Sequence, residues 1–248
     1  MRTRHLCLKA EAFVALYAYF VFMKNLSSLL FILLVCQVGL SQKGVSETGL
    51  WSQYFYSLPV GNKWKVAGDF QYRTYELSSD FQQFIARAAV VYTPAIGTVE
   101  LHAGYGYFYG EPFGDKDGST SEHRLHQDVW LDTNAGKTVS IRHRFRFEER
   151  FIEDQDFRSR ARYTIFVNIH FYKDEQQSKF YLPFWNEVFI NGETQLRNST
   201  VNRFDRNWSF GGVGYRISQD LRAQAGYMRE ITSNTSKGQL VLSVFQSF

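Results

Sequence analysis

The sequence predicts an all-β protein, an antiparallel transmembrane β-barrel of about 10–12 strands with short periplasmic turns and longer outer loops. Two neighbouring segments, residues 138–151 and 157–172, carry most of this prediction. In each, apolar side chains such as Val139, Phe145 and Phe147 occupy every second position, and charged side chains, mainly arginine, occupy the positions between them. A long strand with one apolar and one charged face is typical of a wall between lipid and a wet interior.

Aromatic content supports the same fold class. The chain has 23 Phe, 15 Tyr and 5 Trp, and aromatic residues make up 17% of the sequence. Membrane barrels carry aromatic girdles at both lipid–water interfaces. We therefore expect most of the aromatic clusters at those interfaces, and they involve Trp51, Tyr54, Tyr56, Trp64, Tyr105, Tyr107, Trp185 and Trp208.

The first 41 residues predict export. Residues 23–41 have the order of a signal peptide: Lys24 near the start, an apolar run over 29–35, and the small residues Gly39 and Ser41 before a cleavage site. Because Met23 can start a complete signal, residues 1–22 are expected to be an upstream start-site extension. Residues 42–248 then form one barrel domain, which is expected in the outer membrane.

The charge and cysteine content of the mature chain exclude several functions. Four of the 28 Lys and Arg residues and one of the 24 Asp and Glu residues lie in the leader, which leaves 24 basic and 23 acidic residues. This balance gives no argument for a nucleic-acid partner. Both cysteines, Cys7 and Cys36, also lie in the leader, so we expect no disulfide and no thiolate metal site. The sequence indicates no metal site and no cofactor.

Eleven alternating segments follow the leader. In chain order, they are residues 48–58, 63–75, 81–93, 99–108, 121–132, 138–151, 157–172, 179–190, 202–215, 221–230 and 238–248. Turn residues separate many of them, as in 59–62 and 134–136, whereas 110–120 and 191–201 are longer polar connectors. Bacterial barrels have an even number of strands. The count of eleven therefore requires either a short extra strand within 44–50 or one wrong assignment.

The last segment ends on an aromatic residue, Phe248, and places Leu240, Leu242 and Val244 on one face. A terminal aromatic on an amphipathic last strand resembles the signal that the outer-membrane barrel assembly machinery reads. That machinery and the outer-membrane lipids are the partners expected from this pattern.

Several short motifs resemble a known family. They are Gly49-Leu50-Trp51, Phe70-Gln71-Tyr72-Arg73, Trp185-Asn186-Glu187-Val188-Phe189, Arg206-Asn207-Trp208, Gly211-Gly212-Val213-Gly214-Tyr215-Arg216 and Ala225-Gly226-Tyr227-Met228. With these, residues 44–248 resemble the domain of unknown function 2490 family, whose members are secreted Gram-negative proteins regarded as outer-membrane β-barrels. The resemblance implies the architecture and supplies no activity or catalytic residues.

The inward face of the middle strands is the candidate functional site. Its charged residues are Glu122, His126, Asp128, Arg142, Arg144, Arg146, Glu148, Arg158, Arg160 and Arg162. Pairing strands across 134–136 predicts that Asp128 lies near Arg142, His126 near Arg144 and Glu122 near Glu148. Pairing across the next loop predicts Glu148 near Arg160 and Arg146 near Arg162.

These charges leave two functions open. Ion pairs could plug the interior structurally, because desolvated charges need partners. Alternatively, the surplus of arginine could form a small pore that prefers anionic solutes.

Two other classes remain as alternatives. One is a lipid- or glycan-processing enzyme built into the barrel, although the sequence has no His-x-Ser pair and no recognisable catalytic constellation. The other is a periplasmic β-sandwich, which needs a second sheet to cover each apolar face. We expect a protein that is not an enzyme.

Overall fold

The computed structural model describes residues 44–94, 97–114, 118–173 and 176–248. The predicted start-site extension and signal peptide lie outside these ranges. The described strands are β1 (Gly44–Pro59), β2 (Trp64–Thr74), β3 (Phe81–Tyr92), β4 (Val99–Gly110), β5 (Thr120–Ala135), β6 (Val139–Ile152), β7 (Arg158–Lys173), β8 (Gln176–Asn191), β9 (Gln195–Leu196), β10 (Ser199–Thr200), β11 (Phe204–Arg216), β12 (Leu221–Thr232) and β13 (Ser236–Ser247). Across the described ranges, there is no helix long and apolar enough to cross a membrane.

Eleven of the described strands close into one barrel, and the order around it is β1, β2, β3, β4, β5, β6, β7, β8, β11, β12 and β13. Neighbours are antiparallel except at the closure, where β1 and β13 run parallel and pair from Thr48 with Gly238 to Ser57 with Ser247. An odd number of strands in up-and-down order requires a parallel closing pair, because the first and last strands then point the same way. The predicted β-barrel and its count of eleven are confirmed.

The extra strand within 44–50, one of the two alternatives that the even-number rule left open, is absent from the described residues. Those positions form the beginning of β1 itself, which starts at Gly44. The even-number rule of bacterial barrels does not hold for this barrel, which closes with the parallel pair instead.

The two ends of the barrel differ in their connectors. Short turns, such as 60–63, 136–138 and 217–220, join strands at one end, which we call the turn end. The opposite end, the loop end, carries the 12-residue connector 192–203, which contains the small β9–β10 hairpin. The predicted alternation of short turns with longer loops is therefore present, whereas the hairpin was missed because each of its strands has only two residues.

Side chains alternate between the outside and the interior of the barrel. On β6, the outward side chains Phe145 and Phe147 are 48% and 45% exposed. Glu148, the residue after Phe147, points inward and is 1% exposed. The same alternation leaves large apolar side chains exposed along the other barrel strands, and polar and charged residues outnumber apolar ones among the described buried residues. The barrel is therefore apolar outside and largely polar inside.

The parallel closure can be tested with an engineered disulfide. Ser52 and Leu242 are direct partners on β1 and β13, so Ser52→Cys with Leu242→Cys should oxidise to an intramolecular disulfide, because facing strands lie about 4.8 Å apart. Non-reducing electrophoresis of the folded protein detects the cross-link. In the control, Ser52→Cys with Leu240→Cys, the second cysteine lies two residues away from the partner of Ser52. The distance between the two Cα atoms is then too long for a disulfide. Equal cross-linking of both pairs, or of neither, would contradict the observed register.

Candidate functional site

Strands β5 to β8 and β11 direct a network of ion pairs into the barrel, and we call it the charge cluster. Its members are Glu122, Arg124, Asp128, Arg144, Arg146, Glu148, Arg150, Arg160, Arg162, Glu187 and Asp205. Most of the β5 to β7 members stand at alternate positions of their strands, so the period-two pattern of the sequence turns them to one face.

Glu148 lies at the centre of the charge cluster. Its Oε2 is 2.7 Å from Nη2 of Arg160, and its Oε1 is 2.6 Å from Nη1 of Arg162. Arg124 and Arg146 each place an Nη1 atom 3.8 Å from the same carboxylate. This buried carboxylate thus faces four arginines from three strands. These arginines replace water around the carboxylate and stabilise its ionised form.

Two other carboxylates form bidentate pairs. Arg146 donates through Nε and Nη2 to the two oxygens of Asp128, at 2.6 and 2.7 Å. Glu122 accepts from Nε and Nη2 of both Arg124 and Arg150, at 2.6 to 3.1 Å. The planar guanidinium fork matches the carboxylate geometry, and such pairs are among the stronger hydrogen bonds in proteins.

The network continues around the barrel through Glu187 and Asp205. Glu187 Oε1 accepts from Arg144 and Arg162, each at 2.7 Å, and Arg160 Nη1 donates to Asp205 at 2.7 Å. Arg206 then links Asp205 to Glu230 on β12. Ion pairs therefore cross the interior from β5 to β12.

Aromatic side chains fill the interior on the opposite side. Trp51, Phe189, Trp208, Phe210, Met228 and Val241 form a buried cluster, with Trp185 packed against it. Trp51 and Trp208 meet edge to face at 5.2 Å between ring centroids, and the guanidinium of Arg73 lies 3.6 Å from the Trp51 centroid. We call this set the aromatic cluster.

The aromatic cluster corrects one prediction. Trp51 and Trp208 belong to the set of aromatic residues most of which were expected in interface girdles, but these two are 4% and 7% exposed and face the interior. Their strand positions explain this, because Trp208 is the direct partner of inward Glu187 and Trp51 is the direct partner of Arg73. Trp64, at the beginning of β2, is 51% exposed and lies on the outside.

Most of the ten predicted site residues point into the barrel, and seven belong to the charge cluster. His126 is also buried; it is the direct partner of Glu148 and packs beside Gly104, where a Cβ atom would meet the imidazole at 2.6 Å. Two arginines lie apart from the cluster. Arg142 pairs with Glu100 at 2.6 Å and Asp132 at 3.0 Å, and half-buried Arg158 donates to Gln155 near the loop end.

The predicted register between β6 and β7 is correct, because Glu148 faces Arg160 and Arg146 faces Arg162. The predicted register between β5 and β6 is wrong by four residues. Asp128 faces Arg146, His126 faces Glu148 and Glu122 faces Ile152. The hairpin turn is 136–138 and not 134–136: Asn134 and Ala135 remain paired in the strand, and Gly136, with φ 70°, is the first residue of the turn.

The ten predicted site residues omit four members of the charge cluster, Arg124, Arg150, Glu187 and Asp205. Arg124 shares the parity of Glu122 and His126, so alternation along β5 could have found it. Asp205 has no such signal, because the register between β8 and β11 shifts between Phe204 and Arg206. A bulge of this kind turns a side chain away from the face that period two predicts.

Metal ligation has no candidate in the portion of the chain that the structure describes. No group of three or more His, Cys, Asp or Glu side chains there could hold an ion.

Comparison with protein-family models identifies a family for this chain. Residues 48–241 match the model of a family described as protein of unknown function (DUF2490). The chain belongs to this family. No curated protein and no solved structure matches it. The DUF2490 resemblance of the aromatic and glycine-rich motifs is therefore confirmed.

Glu148 offers a direct test of the charge cluster in this DUF2490 barrel. Glu148→Gln keeps the side-chain shape but leaves Arg160 and Arg162 without their shared carboxylate, so the free energy of unfolding should fall by about 3–5 kcal/mol. Denaturant titration of the folded protein in detergent measures this loss. The control Glu149→Gln changes the next residue, which points outward, and should cost less than about 1 kcal/mol. Equal losses for both variants would contradict the central role of Glu148.

Proposed function

We propose that this protein is an exported outer-membrane β-barrel whose interior is closed by the charge cluster and the aromatic cluster. Such a barrel acts as a membrane-embedded scaffold and does not conduct solutes freely. The observation that carries the proposal is the inverted polarity of the barrel, in which apolar side chains are exposed and charged side chains are buried.

The apolar outer wall supports a lipid environment. Outward side chains such as Phe70, Val90, Leu125, Phe184 and Leu242 are all at least 39% exposed. Soluble monomers rarely expose contiguous apolar patches of this extent. A closed sheet also leaves no unpaired strand edge, which is the requirement for crossing a bilayer with strands. Outer-membrane lipids and the barrel assembly machinery are the partners that this environment implies.

The pairing of the interior arginines with carboxylates favours a closed interior and argues against an anion pore. The central arginines Arg146, Arg160 and Arg162 each have a carboxylate within 2.7 Å. A guanidinium held in this way offers little net positive potential to a passing anion. The aromatic cluster occupies the remaining side of the interior. Small anionic solutes become partners only if the charge cluster opens.

Membrane fractionation tests the location. The full chain, expressed in a Gram-negative host, should sediment with the outer membrane and resist extraction by high salt and alkali, because its wall is embedded in lipid. Recovery of the protein in the periplasmic extract would contradict the proposal.

Single-channel recording tests the closed interior. The folded protein in a planar bilayer should show no steady openings, whereas Glu148→Ala with Arg160→Ala and Arg162→Ala should conduct, because the change removes the centre of the charge cluster. Glu153→Ala with Arg197→Ala, on exposed loop-end residues, is the control and should remain closed. Steady anion-selective openings of the unmodified protein would contradict closure and support the pore.

A further inference from the structure

Two arginines face each other at the turn end of the barrel. Arg216 is the last residue of β11, Arg222 is the second residue of β12, and the two are direct partners across the 217–220 turn. Like charges directly opposite on neighbouring strands are destabilising. Arg222 is exposed and Arg216 is half-buried, so water screens part of the repulsion, and an interaction with an anion would offset the rest.

The carboxylates of the described chain do not supply that interaction. Neither arginine has a carboxylate within 4.0 Å among the described residues, in contrast with the arginines of the charge cluster. Arg216 donates to neutral acceptors, Nδ1 of His170 at 2.9 Å and the carbonyl of Ser178 at 3.2 Å. The guanidinium of Arg222 lies 4.6 Å from the Phe245 ring centroid and has no hydrogen-bond partner in the described ranges.

Both arginines line a cavity of about 160 Å³ beneath the turn, which we call the turn-end cavity. At about 30 Å³ per water, this volume holds roughly five waters, so an anionic group the size of phosphate or carboxylate fits with part of its hydration shell. Ser57, Ser218 and Gln246 also line the turn-end cavity and offer hydroxyl and amide groups. Asp220 lines it as well, but among the described residues it forms no ion pair within 4.0 Å of either arginine.

We propose that the turn-end cavity is a binding site for a small oxyanion, a phosphate or carboxylate group held between Arg216 and Arg222. Guanidinium groups bind such anions through paired N–H donors. A bound oxyanion also converts the repulsion between the two arginines into two attractions. The site lies apart from the charge cluster, and it requires neither an open barrel nor a particular membrane.

Isothermal titration calorimetry tests the site. Sodium phosphate and sodium acetate are titrated into the folded protein, expressed as the full chain and purified in detergent, with sodium chloride at matched ionic strength as the control salt. Phosphate should bind saturably and more tightly than chloride. Titration with sn-glycerol 3-phosphate identifies the source: equal binding indicates a terminal phosphate on a larger molecule, and binding of inorganic phosphate alone indicates a free ion.

Arg222 is the residue to change, because among the described residues it makes no hydrogen bond whose loss would disturb the fold. Arg222→Gln should weaken phosphate binding about tenfold, the effect of losing one charge-assisted hydrogen bond, and Arg222→Lys should weaken it less. The control Arg229→Gln removes an arginine from the loop-end half of the same strand and should leave phosphate binding unchanged. Absence of saturable phosphate and acetate binding, or equal affinity of the protein and Arg222→Gln, would overturn the proposal.

Discussion

A single buried carboxylate, that of Glu148, constrains the interior of this barrel. Taking an ionised carboxylate out of water costs several kcal/mol unless cations and hydrogen-bond donors replace the solvent. Arg160 and Arg162 meet this requirement at 2.7 and 2.6 Å, with Arg124 and Arg146 farther away. Each of these arginines in turn needs its own carboxylate. The result is a series of ion pairs, each of which needs the next, and these ion pairs connect the strands across the barrel interior.

The interior divides into two kinds of packing that complement each other. The charge cluster ties strands through directional hydrogen bonds, whereas the aromatic cluster fills space between β1, β8 and β11 to β13. The two meet where Phe189 packs against Trp208 at 4.6 Å and the guanidinium of Arg162 lies 4.4 Å from the Phe189 centroid. Cationic arginine stacks well on an aromatic face, so Arg162 and Phe189 make a favourable contact between the charge cluster and the aromatic cluster.

The alternation of apolar and charged residues was sufficient to predict the barrel, the approximate strands and the inward face of β5 to β7. It also gave the correct pairing of Glu148 with Arg160. The β5–β6 pairing failed because turn composition alone did not show that Gly136 begins the turn, and each residue of displacement in a hairpin centre moves the partner by two.

Other features depended on contacts between residues distant in sequence. The parallel pairing of β1 with β13 joins the two ends of the domain with no turn to indicate it. Trp51 was assigned by residue type to a membrane interface, although its parity with Gln53 placed it inside. Trp51 packs inside against Trp208, 157 residues later, and no local pattern predicts that contact.

Tryptophan quenching by acyl-brominated lipids tests the inverted polarity of the barrel most directly. Trp64 is on the outer wall, whereas Trp51 and Trp208 are buried inside. With lipids brominated close to the headgroup, the folded protein in vesicles should show a quenched component that Trp64→Phe removes, while the remaining emission is insensitive to bromine. Quenching that persists undiminished in Trp64→Phe would place the interior tryptophans against lipid and contradict the account.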